Sequence, residues 1–174
     1  CGMESHMEEL MQDPTFAEQW YENQAKFKAQ VIKSSNIEQR NNVLNPIVIP
    51  VAVHFPGGQE SDRSCLEALA QTQIDILNGD YTATNSDANL WNSASQFYPG
   101  AVHGVANLTF CIATQNHPNN TDNDLVEGGP AVTIGYNFGG GGDSDGAWSG
   151  YMNILVKNIN GGVLGYSPLG GNIA

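Results

Sequence analysis

The 174 residues suffice for one domain with a real core, and a hydrophobic content of 40% with scattered aromatics excludes a disordered chain. Eighteen acidic residues against six basic ones leave a net charge of −12. Such a surface repels phosphate backbones and argues against a nucleic-acid partner, and no apolar run approaches the roughly 18 residues of a membrane-spanning helix.

Residues 3–33 read as helix, with Asp13-Pro14 as a start signal: Asp caps free amides and Pro fits the first helical position. Phe16, Trp20, Phe27 and Val31 recur at helical spacing and form an apolar stripe, leaving Glu18, Gln19, Glu22 and Lys26 for solvent. The polar stretch Ser34 to Asn42 reads as a linker and a natural site of proteolytic cutting.

Beyond the linker the period changes from helix to strand. Ile47 to Phe55 is apolar at nearly every position, as in a strand covered on both faces, and Pro56-Gly57-Gly58 ends it. Ser64-Cys-Leu-Glu67 fits a capping box, opening a helix to Tyr81 whose expected buried stripe is Leu66, Leu69, Ala70, Ile74, Leu77 and Tyr81. Asn107 to Ala113 is a second strand by its β-branched and aromatic content. A polar, glycine-rich insertion follows from Thr114 to about Gly150, with a short strand expected at Ala131 to Tyr136. Met152 to Asn158 is a further strand, and the Gly161-Gly162 turn leads to a last one, Val163 to Pro168. Strand, helix and then strands imply an α/β fold in which a mixed, twisted sheet is backed by one long helix.

The four histidines show no metal-site spacing, and His6, His54, His103 and His117 are each expected to be structural. Three cysteines, Cys1, Cys65 and Cys111, are too few for a disulfide framework. Asp143, Asp145 and the cluster Asp122, Asp124 and Glu127 offer the oxygen ligands that calcium takes, but without EF-hand spacing, and a solvated loop is the simpler reading. The segment Gly139 to Gly146 lacks the Lys-Ser/Thr of a phosphate-binding loop and matches no motif. Asn107-Leu-Thr109 and Asn119-Asn-Thr121 are glycosylation sequons only in a eukaryotic secretory setting.

Four stretches, Cys1-Gly2, Ile49-Pro-Val-Ala-Val-His-Phe55, Gln73-Ile-Asp-Ile-Leu-Asn-Gly-Asp-Tyr81 and Tyr151 to Tyr166, together resemble the pappalysin family of metzincin zinc peptidases. The resemblance covers nearly the whole chain. It implies a helical prosegment and linker over residues 1–42, and over 43–174 the N-terminal, upper subdomain of a metzincin-type catalytic domain. The family's zinc motif, H-E-x-x-H-x-x-G-x-x-H, follows the last of these stretches and does not occur in residues 1–174, so the chain is expected to be part of a longer protein. No positively charged, apolar leader opens the chain, so a secretion signal is expected to have been removed or to lie outside it.

Carried over residue by residue, the resemblance makes Cys1 a thiolate ligand that occupies the open position of zinc and keeps a zymogen latent. Lipidation of Cys1, or no role at all, are the competing readings. Gly162, Val163, Leu164, Gly165 and Tyr166 correspond to an edge strand that pairs with bound peptide, against the simpler reading of an ordinary edge hairpin. The implied protein is a secreted endopeptidase acting on peptides or proteins, with zinc held by residues beyond this chain. A non-catalytic extracellular binding module built on the same sheet is the alternative. One departure is Lys157, where family members often carry Cys.

Overall fold

A computed structural model describes residues 3–35, 47–101, 104, 106–119, 121–159 and 161–167, with the side chains of 3–5 and 30–35 outside that description. Cys1, residues 36–42 of the expected linker, His103 and Pro168 all lie outside the described residues. The chain divides into two compact units, Cys1–Leu44 with Asn158–Ala174, and Asn45–Lys157.

In the first unit the expected single helix is two, α1 (Met3–Leu10) and α2 (Pro14–Ser35). The break falls where Asp13 interrupts the run: its Oδ1 accepts from the amides of Thr15 (2.8 Å) and Phe16 (3.4 Å), capping α2 as the sequence predicts. The helix runs on through Ser34 and Ser35, so the linker begins later than expected. Phe16 and Trp20 are half-buried, whereas Phe27 is 51% exposed and does not complete the stripe.

The second unit is α/β, a four-stranded sheet backed by a long helix. Its strands are β1 (Ile47–Phe55), β2 (Leu108–Ile112), β3 (Val132–Ile134) and β4 (Met152–Leu155). All pairings are parallel, so the expected mixed sheet is corrected to a parallel one, with β1 hydrogen-bonded to each of the other three. Alternate residues of a parallel strand bond to opposite edges. Odd positions of β1 serve β2 and then β3: Ile47 N to Asn107 O, Ala113 N to Val51 O, Val53 N to Ala131 O, and Gly135 N to Phe55 O. Even positions serve β4, with Val156 N donating to His54 O. β2 and β3 therefore follow one another along one edge of β1. The excursion between them leaves and returns through Gly128 N to Thr114 O and Ala131 N to Ala113 O.

Residues 51–55 are fully covered, as the continuous apolar pattern requires, while Ile47 and Val48 are more than half exposed. On the odd face Val51, Val53 and Phe55 pack with Phe110, Val132 and Ile134 beneath Ala70 and Ile74 of helix α3 (Arg63–Thr82). Leu66 and Leu77 join this core partly buried, but Leu69 (46% exposed) and Tyr81 (43%) lie off the i, i+4 ridge formed by Leu66, Ala70 and Ile74. On the even face Ala52 packs with Ala113, Ala131, Phe138 and Trp148.

The capping box is corrected too. α3 begins at Arg63 behind a 3-10 turn, Glu60–Asp62, and its N-cap residue is Asp62 without a side-chain cap. Arg63 holds Glu60 through both oxygens (2.8 and 2.9 Å) and reaches Glu67 at 3.3 Å, so the glutamate of the supposed box is occupied by an arginine. The final expected strand is also corrected: Val163 to Ser167 have no regular secondary structure, and Pro168 lies outside the described residues.

Candidate functional site

The first of the residues expected to hold peptide, Gly162, forms a turn with Gly161 before it, with φ of +73° and +78°, values that suit glycine. Leu164 is fully exposed, whereas Val163 and Tyr166 are half-buried. The Tyr166 ring lies 4.1 Å from that of His6 on α1. The segment is therefore anchored by its tyrosine and free at its leucine. Cys1, the expected zinc ligand, lies outside the described residues.

The structure gathers the acidic residues differently from the sequence grouping. Glu60, Asp122 and Asp124 bring one oxygen each within 4.8 Å of one another, and this is the one such group among the described residues. Two of the three have structural partners: Glu60 is clasped by Arg63, and Asp122 accepts from the amides of Asp124 and Ile134, both at 3.0 Å. Glu127 instead closes its own loop, accepting from the amides of Asn116 (2.6 Å) and His117 (3.1 Å), which hold its carboxyl below the usual range. Asp143 pairs with Lys157 at 3.0 Å. Asp145 binds the Tyr136 hydroxyl and two amides. Among the described residues no histidine or cysteine joins two other ligands closely enough for zinc, so the donor set for that ion is not found here. Cys65 and Cys111 are free thiols.

The most tightly built polar cluster surrounds His54, which has no exposed surface. Strand pairing places Thr133 of β3 and Asn153 of β4 on either side of it. Nδ1 lies 2.8 Å from Thr133 Oγ1 and Nε2 lies 3.0 Å from Asn153 Oδ1. The glycine-rich segment, without assignment from sequence, covers the ring: Phe138 lies at 4.4 Å between centroids and Trp148 meets it edge-on at 4.8 Å. Burial drives the His54 pKa below its ordinary 6.5, against the opposing pull of the Asn153 hydrogen bond and the Asp145 charge.

Asp145 organises this cover. Its Oδ2 accepts from Tyr136 Oη (2.6 Å) and Gly139 N (2.9 Å), and its Oδ1 accepts from Ala147 N (2.9 Å). Burial opposes its charge, but those three donors outweigh it and keep the carboxyl below the usual range. Tyr136, half-buried beside that carboxylate, is pushed up to about 12, by burial first and Asp145 second. Lys157 ties down the rim, reaching the carbonyls of Gly141 (3.2 Å) and Gly142 (3.4 Å) besides Asp143. The burial of His54 agrees with the structural role expected for it, whereas its cover was not expected; the one signal of that cover in the sequence is a pair of large aromatics, Phe138 and Trp148, bracketing the glycines.

An open recess of about 400 Å³ lies at the far end of α3, lined by Asp80, Asn85, Asp87, Leu90 and Trp91 among others, and holds none of the residues expected to bind metal or peptide. No helix among the described residues is long and apolar enough to cross a membrane. In comparisons with known proteins, no family model, no curated protein and no solved structure matches the chain.

Proposed function

We propose that residues 1–174 are the N-terminal part of a secreted zinc-dependent metalloendopeptidase zymogen of pappalysin type. What supports the reading is the order in which the resembling stretches become structure: Ile49 to Phe55 is the middle strand, Gln73 to Tyr81 lies on the helix behind it, and Met152 to Leu155 flanks it. An upper metzincin subdomain requires that arrangement of first strand, backing helix and further strands.

On this reading the zinc ligands and the glutamate base come from chain beyond Ala174, and zinc, when bound there, activates water against a peptide carbonyl. The residues of this chain restrain and position. Cys1 supplies the thiolate of latency, and Gly162 to Tyr166 offer backbone donors and acceptors to the substrate, with Leu164 outermost. Peptide addition would itself order that segment as a strand.

The test is cleavage of casein by the secreted polypeptide that contains this chain, assayed after removal of the prosegment. Activity abolished by a zinc chelator and restored by zinc is the expected result. A secreted polypeptide that binds peptides without cleaving them would point instead to the binding module.

A further inference from the structure

The hydrogen bonds around His54 specify its protonation state. Asn153 Nδ2 donates to the carbonyls of Trp148 and Tyr151, both at 3.1 Å, which fixes its Oδ1 as the acceptor facing the imidazole. Nε2 must then carry a proton, and Nδ1 accepts from the Thr133 hydroxyl. A second proton would go to Nδ1, against a hydroxyl that now donates, and would place a cation among Phe138, Trp148 and Ala52. The same asparagine that reads His54 holds two carbonyls of the cover, so the ring and the glycine-rich segment are mechanically joined.

The cover is also built to leave. Gly139, Gly140 and Gly141 have positive φ, and the cover's only regular structure is two short 3-10 turns, Phe138–Gly141 and Gly146–Trp148, so neither a helix of several turns nor a sheet ladder holds it and its side-chain ties matter most. Trp148 Nε1 is buried with no hydrogen-bond partner at ordinary distance among the described residues, although the indole lies near enough to Tyr136 to favour its ionised form. Opening would give that N–H to water.

We propose that His54 is an acid-sensitive latch for residues 138–151: the neutral imidazole holds this segment closed on the sheet, and the imidazolium releases it. The groups facing the latch are Thr133 from β3, Asn153 from β4, and Tyr136, Phe138, Asp145 and Trp148 from the cover, with the Asp143–Lys157 pair at the rim. Among the described residues Asp145 is the one carboxylate acting on His54, and it is already committed to Tyr136, Gly139 and Ala147.

The sign follows from the lowered pKa. The open state binds the proton more readily, so the closed state is fully favoured above the ordinary histidine value of about 6.5 and loses ground as pH falls from there to the lowered closed-state value. One proton sets the limit of about tenfold in the closed-to-open ratio per pH unit.

The experiment follows Trp148 in residues 1–174 carrying Trp20→Phe and Trp91→Phe, by acrylamide quenching between pH 7.5 and 4, together with the His54 Cε1–H resonance in the unsubstituted chain. Expected are a rise in Trp148 accessibility below pH 6.5 that tracks protonation of His54, and loss of that transition in His54→Gln, whose amide can serve Thr133 and Asn153 without titrating. Accessibility that changes identically in His54→Gln, or a His54 that titrates while Trp148 stays shielded, would overturn the proposal. If His54→Gln does not fold, the coincidence or separation of the two titrations in the histidine-containing chain decides.

Discussion

Asn78 acts as a strand partner for Phe110. Its Nδ2 donates to the Phe110 carbonyl at 2.9 Å and its Oδ1 accepts from the Phe110 amide at 2.8 Å, so one side chain of α3 closes both backbone groups on the outer edge of β2. The same edge is sealed further along β3, where Arg63 Nη1 donates to Val132 O (3.3 Å) and Asp122 Oδ2 accepts from Ile134 N (3.0 Å). Side chains from both ends of α3 and from the excursion loop therefore guard a sheet edge against unwanted pairing.

Replacing that partner should be costly out of proportion to its size. Asn78→Ala leaves a part-buried N–H and C=O on a core strand, and about 1–3 kcal/mol of stability should be lost. Equilibrium urea unfolding measures it, with Thr72→Ala on the exposed side of the same helix as control. A loss no larger than the control's would show that water replaces the amide freely.

The glycine-rich cover allows a sharper comparison between adjacent positions. Both Gly139 and Gly140 have positive φ, but a Cβ on Gly139 would collide with the Ser144 carbonyl, while one on Gly140 meets nothing. Gly140→Ala should cost about 1–2 kcal/mol from backbone conformation alone. Gly139→Ala should cost clearly more and expose Trp148, as read by unfolding and tryptophan emission. Equal costs would contradict the packing described for this turn.

Helix α3 ends on Ala83 at φ +54°, a left-handed residue where glycine is the usual choice. Ala83→Gly should raise stability by roughly 0.5–1 kcal/mol, since the relieved strain exceeds the extra entropy of the unfolded chain. A lower midpoint of thermal unfolding would refute it.

Whether these features are legible in sequence depends on how local their causes are. β1 declares itself because its apolar run lies within nine residues, and the start of α2 because Asp13 caps amides two and three residues away. The start of α3 misleads because Arg63, bonded to Glu60 and Glu67, outcompetes the box at Ser64. Asn78 and Phe110 are 32 residues apart, and His54 meets Asn153 across 99, so no local pattern announces either bond. The even spread of apolar residues also hid the all-parallel pairing, which depends on how the connections cross and not on any one strand.

Latency is the prediction that reaches beyond the described residues. If the proposed zymogen is right, Cys1→Ala in it should remove a thiolate ligand and speed conversion, with cuts beyond α2, between Asn36 and Asn42. Gel analysis of conversion over time measures it, and a variant as latent as the parent would leave Cys1 without that role.

The proposed binding of peptide through the backbone of Gly162 to Tyr166 predicts different outcomes for two substitutions at the exposed Leu164. Leu164→Pro deletes an N–H and should remove most of the kcat/KM on peptides, while Leu164→Val should stay within about tenfold of the parent, roughly 1.4 kcal/mol. Equal activity of the two folded variants would show that this segment does not hold substrate.

Zinc stoichiometry tests the central claim most directly, measured by elemental analysis on two purified samples: residues 1–174 alone, and the longer secreted polypeptide proposed to contain them. The account predicts no stoichiometric zinc in the first and one tightly bound zinc per chain in the second, lost together with peptidase activity on chelation. Stoichiometric zinc with chelator-sensitive activity in residues 1–174 alone, or a parent polypeptide that binds none, would contradict it.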